Sequence, residues 1–168
     1  EITNTTIKNG DAEDQLNIIN AEVLISKVDF KDAISDALDC DYCKGKISDV
    51  NFYDVGGDAL DVSGSDIIVS NIKIKSAQDK AISVGEKSSL NITNALIENS
   101  NIGLASKDSA FVKAKNLNIS NVEFCLSSYN KKQEFFGGKL IVDRLNCKDY
   151  SIKIQKDDIS SIEIKNNL

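Results

Sequence analysis

GGDALDVSG, residues 56–64, decides the fold, because the chain returns to its pattern at a fixed interval. DALDCDYC (36–43) precedes it, and DKAISVGE (79–86), NIGLASKD (101–108) and EFCLSSYN (123–130) follow. One apolar position runs through all of them and beyond: Leu16, Leu38, Leu60, Ile82, Leu104, Leu126 and Ile152. Every step is 22 residues except the last, which is 26. A fixed period of roughly 20–50 residues marks units that bury their apolar faces by stacking on one another.

A second signal keeps step with the first. Apolar quartets spaced three, two and three apart occur at Ile25-Val28-Phe30-Ala33, Ile47-Val50-Phe52-Val55 and Val69-Ile72-Ile74-Ala77, and continue to Val142-Leu145-Cys147-Tyr150. Ile2-Thr5-Ile7-Gly10 and Ile159-Ile162-Ile164-Asn167 close the series at its two ends, giving eight coils. A step of two keeps both side chains on one face of a strand, and a step of three places a corner between them. The expected fold is all-β: a single-stranded parallel β-helix, or solenoid, of about eight coils, with residues 1–168 as one domain. The absence of Pro suits continuous backbone ladders. An antiparallel sandwich would want hairpin turns every 8–12 residues or so, and would not hold this register.

The net charge of −6 argues against nucleic acid as a partner, and no apolar run is long enough to span a membrane. The charge is uneven. Residues 29–66 hold ten Asp, no Glu and three Lys, a net of −7 against −6 for the whole chain. With Glu1 first, no leader, and no amphipathic cap before Ile2, the chain reads as a fragment of a longer protein, open to end-to-end or side-by-side association. Of the four cysteines, Cys40 and Cys43 form a CxxC, but with no His and no second CxxC it makes a poor zinc site. It reads as buried thiols, with a local Cys40–Cys43 disulfide as the alternative.

Chemistry would sit on the acidic coils. Asp36 stacks over Asp58 and Asp39 over Asp61, and carboxylates about 4.8 Å apart can share one calcium ion. Lys80 lies in register with Asp58 and is the candidate base, should the site be a calcium-dependent lyase or epimerase on uronate polymers. The alternatives are a solvated acidic face, or Asp side chains that satisfy backbone amides at the bends. A paired-carboxylate hydrolase finds its carboxylates here but no His. The small column Ala37, Ala59, Ala81 and Gly103 reads as an outward strip beside them. Ser26, Ser48, Ser70 and Thr93 form a hydroxyl column, and Asn71, Asn94 and Asn116 an amide column, both structural by default.

The register breaks once, at YNKKQEFFGGK, and the extra residues of the 129–139 segment are expected to protrude. Tyr129, Lys131, Lys132, Phe135 and Phe136 are the candidate ligand-binding edge, for polysaccharide or for neighbouring domains of the parent protein. The competing reading folds Phe135 and Phe136 back over the coil.

GGDALDVSGS, DKAISVGEKSS and NIGLASKDSA resemble the C-terminal β-helix region of large bacterial surface proteins, some of which carry lamin-tail-like or spore-coat-kinase-like domains. The coil length resembles the right-handed, pectin-lyase-like class. The resemblance implies a right-handed β-helix and an extracellular or cell-surface setting, and no reaction. The expected function is a non-catalytic module, a rigid scaffold or a carbohydrate- or protein-binding face, with no cofactor unless Ca2+ is held. The lyase or epimerase is the first alternative. A trimeric glycan-binding spike segment, as in phage fibres, is the second.

Overall fold

The computed structural model describes residues 1–167 and contains twelve parallel strands and no helix among them. Coil one is β1 (Ile2–Gly10) with β2 (Asp14–Ile19), and coil two is β3 (Glu22–Ala33) with β4 (Asp36–Asp41). Coil three is β5 (Lys44–Val55) with β6 (Leu60–Ser63), and coil four is β7 (Asp66–Ile74) with β8 (Ala77–Gly85). Each later coil is one long bent strand: β9 (Ser89–Lys107), β10 (Phe111–Tyr129), β11 (Lys139–Lys156) and the partial β12 (Ser161–Asn167). Every pairing is parallel and joins one coil to the next, so the molecule is the expected solenoid of about eight turns.

Corners explain the local sequence. The chain turns in the left-handed region at Lys27, Asp49, Asn71 and Asn94, and again at Asp32, Asp54, Asn99 and Asn121. Asn and Asp tolerate that conformation better than other side-chain-bearing residues. Between corners, β-branched and aliphatic residues face inward. Phe30 and Phe52 stack with ring centroids 4.9 Å apart and an interplanar angle of 8°, which is the spacing the strands impose. Each fully buried Leu, Ile or Phe contributes roughly 1.5–3 kcal/mol.

Three expectations need correction. The small column does not face outward. Ala37, Ala59 and Ala81 are fully buried core residues. A Cβ on Gly103 would come within 3.0 Å of the buried Ile119 side chain. A corner falls between Ala59 and Leu60, so both point inward, and strict alternation was the wrong rule there. Second, the insertion before β11 is six residues longer than a 22-residue step, since Phe111 pairs with Lys139 and Leu126 with Ile154. Ile152 lies beside Phe124 instead. Third, the final quartet is shifted. Ile162 pairs with Leu140 and Ile164 with Val142, which leaves Ile159 largely exposed.

The small column also accounts for a bond the sequence reading missed. Cys125 continues it at one step beyond Gly103, and Cys147 continues the column of Ile97 and Ile119. The two columns face each other across the core, and Cys125 and Cys147 are joined by a disulfide. Cys40 and Cys43 are free and buried, so the local disulfide is not formed. Cys43 heads a buried corner column in which Ser65 and Ser88 follow. Ser65 Oγ accepts from the Cys43 amide at 2.7 Å, and Ser88 Oγ accepts from the Ser65 amide at 3.0 Å. Replacing Cys125 by Ser is expected to lower unfolding free energy by about 3 kcal/mol, the usual yield for a loop of this length. A denaturant titration of oxidised wild type against the variant would measure it, and equal midpoints would contradict the pairing.

Candidate functional site

The acidic coils build one polar face from β4, β6 and β8 and the residues just before them. Asp36 sits at the start of β4, and its Oδ1 accepts the Asp58 backbone N–H at 2.7 Å. It can do so because residue 57 is glycine: a Cβ there would stand 2.1 Å from that oxygen. Asp58 repeats the pattern one coil on, accepting the Lys80 backbone N–H at 2.8 Å. The Lys80 ammonium then closes the column, 3.1 Å from Asp58 Oδ1 and paired as well with Asp79. Both Asp58 and Lys80 are buried.

Asp39 and Asp61 form the parallel column. Asp39 accepts from Asn17 Nδ2 at 3.3 Å. The Lys107 side chain passes over Gly85 and brings its ammonium to 3.8 Å from Asp61 Oδ2. Asp36, Asp58 and Asp61 each place one oxygen within 4.8 Å of the others, while Asp39 stands outside this trio. Asp61 Oδ1 and the hydroxyl of fully buried Ser83, its neighbour on the next rung, have no hydrogen-bond partner. Ser83 follows Asp61 in register but is not acidic, and Lys107 belongs to the neighbouring column that passes through Ser63 and Gly85, so neither was read as part of the site.

Burial raises Asp36 to about 6, with the charges of Asp58 and Asp61 adding to it. Burial raises Asp39 to about 7, helped by Asp41 and Asp61. Burial pulls Lys80 down, but its hydrogen bond to Asp79 and the charge of Asp58 outweigh this and hold the ammonium above the ordinary lysine value. A carboxylate whose folded value lies above its unfolded one binds more protons in the folded state, so stability falls as pH rises through that interval. Acidifying from pH 8 to 5 should therefore raise the melting temperature. The gain from Asp36 and Asp39 is on the order of 1–2 kcal/mol after solvent screening. Replacing both by Asn should flatten that rise, and an unchanged profile would contradict the assignment.

The structure divides the expected ligand edge. Tyr129 ends β10, half-buried, and turns toward the acidic face. Burial raises its phenol, with Lys80 the largest charge acting on it. Residues 131–134 and 136 are exposed, and hydrogen bonds tie the segment to the coil. Buried Asp108 accepts the amides of Lys131 and Lys132 at 2.7 and 2.8 Å. The Asn130 side chain donates to the carbonyls of Lys132 and Phe135, and Lys132 pairs with Glu86. Phe135 is half-buried with the Lys87 ammonium 5.7 Å from its ring, whereas Phe136 is 81 % exposed. Asp108 and Asn130 hold the loop, and neither stood out beside the aromatic and basic residues. No known protein family, curated protein or solved structure matches this chain.

Proposed function

We propose that the chain is a non-catalytic β-solenoid module of a cell-surface or secreted protein, a rigid scaffold that presents a carbohydrate- or protein-binding face. The observation that carries this reading is the state of Lys80. A lyase base must be neutral to take a proton, and Lys80 is buried between two carboxylates that keep it charged. Asp36 and Asp58 are likewise spent on backbone amides. The core disulfide supports an oxidising compartment, and the solenoid is compatible with the pectin-lyase-like, right-handed class. Incubation with pectate, alginate and neutral polysaccharides should release neither unsaturated products nor new reducing ends. Calcium-dependent ultraviolet absorbance that disappears in Lys80→Ala would replace this reading with the lyase.

One observation favours a second reading, a structural calcium ion. The Asp36, Asp58 and Asp61 oxygens lie close enough together to share a divalent cation. Millimolar calcium would then raise the melting temperature, and chelator would lower it.

A further inference from the structure

The molecule carries a second polar surface, on the corner where each coil turns between the two halves of its first long strand. Two outward columns flank the inward-facing residues Val50, Ile72, Ala95 and Leu117. One column runs Asp49, Asn71, Asn94, Asn116 and Arg144, and the other Asn51, Lys73, Leu96, Asn118 and Asn146. Between them lies a groove of about 470 Å³, whose lining continues past Asn94 and Asn118 to Arg144 and Asn146. It follows the solenoid axis across five coils.

The groove walls form a regular hydrogen-bonded ladder. Asn71 donates to Asp49 at 2.9 Å, Asn94 to Asn71 at 3.0 Å and Asn116 to Asn94 at 2.7 Å. The Arg144 guanidinium closes the series on Asn116 at 2.7 Å. A primary amide has two N–H donors and two acceptor lone pairs. Asn71, Asn94 and Asn116 each use one of each in the ladder, so each is held in a fixed orientation with one donor and one acceptor not committed to it.

We infer that this groove binds an extended, uncharged 1,4-linked polysaccharide chain. Three features select that occupant. The rungs repeat at about 4.8 Å, close to the length one pyranose adds to an extended chain. An extended peptide advances only about 3.3 Å per residue and would fall out of step within a few rungs. A donor and an acceptor side by side match the vicinal hydroxyls of a sugar. Charge is sparse: Lys73 and Arg144 stand near opposite ends of the amide run, Asp49 sits at one margin, and the span between offers amides and the exposed side chain of Leu96. Leu96 supplies an apolar platform for the C–H face of one ring.

This inference deepens the proposed binding role and rests on it, so its test must separate the two. The probes are xylan, mannan, hydroxyethyl cellulose and, as the charged control, pectate, each in affinity electrophoresis with wild type, Leu96→Asp and Phe136→Ala. Folding is checked by far-ultraviolet dichroism and melting temperature. Asn118→Ala is kept in reserve should Leu96→Asp fail that check. The expected result is retardation by at least one neutral chain, weakened tenfold or more by Leu96→Asp and unchanged by Phe136→Ala. Retention of pectate alone, or of no polymer, overturns the groove. Loss that follows Phe136→Ala moves binding to the loop, which overturns the groove and leaves the binding-module reading standing. Release of reducing ends from any polymer overturns the non-catalytic reading instead.

Discussion

Phe52→Ala should lower the unfolding free energy by about 4 kcal/mol, among the largest effects of any single core change in this chain. Phe52 is fully buried, stacked on Phe30 below and followed by Ile74 in the next coil. Large-to-small changes lose the transfer energy of the removed atoms and add the cost of the cavity left behind. Relaxation is limited here, because both neighbouring coils are pinned by ladder bonds on either side of the position. Phe30 loses its stacking partner as well, which is worth a further 0.5–1.5 kcal/mol or so. Equilibrium urea denaturation would measure the difference from the midpoint at constant slope. A loss under about 2 kcal/mol would show that the coils collapse onto the gap and that the columns are softer than their geometry implies.

Lys80→Met should cost about 3–5 kcal/mol at neutral pH, because it leaves a buried carboxylate without its cation. Asp58 is 5 % exposed. Burial is the main influence raising its pKa, and the Lys80 charge is the chief one opposing that rise. In the variant that opposition is gone, so the folded value climbs further above the unfolded one. The folded state then binds the extra proton, and stability increases as pH falls. The deficit against wild type should therefore shrink between pH 8 and 5. Wild-type Lys80, with its own value raised, contributes fully throughout that range, since its stabilisation is lost only as pH rises past the lysine range. A deficit independent of pH would mean that the cost is lost packing of the lysine stem and not an orphaned charge. Asp58→Asn with Lys80→Met should recover most of the loss.

The fold was legible because the inward positions are aliphatic at fixed spacing, and a slip of one residue would turn a whole strand inside out. Legibility failed at the corners. Alternation predicts that Ala59 and Leu60 face opposite ways, yet both are buried, and the disulfide stayed hidden because a column read as outward gave no reason to extend it from Gly103 to Cys125 as a core position. At the insertion, Ile152 looked like the heir of Leu126 although Ile154 holds that place. Two isoleucines two residues apart satisfy the same pattern, and only the ladder decides between them. The Asp36–Asp58 and Asp39–Asp61 stacking followed from the repeat alone. One of the alternatives read for it, Asp side chains satisfying backbone amides, is what Asp36 and Asp58 do, whereas the approach of Lys107 depends on which way that side chain leans along the axis and was not legible. The amide groove was visible as a column of Asn, but its concavity comes from the left-handed turns at Asp49, Asn71 and Asn94.

The disulfide has a mechanical meaning. Because each coil touches chiefly its neighbours, tension applied at the C-terminal end peels the solenoid strand by strand. Peeling frees β12 and the rest of β11 and then meets Cys147, which is tied to the preceding coil at Cys125. From there the load passes through the covalent bond to Cys125, so residues 126–146, enclosed between the two cysteines, cannot be drawn out, and the pulled chain falls short of its full length by that loop.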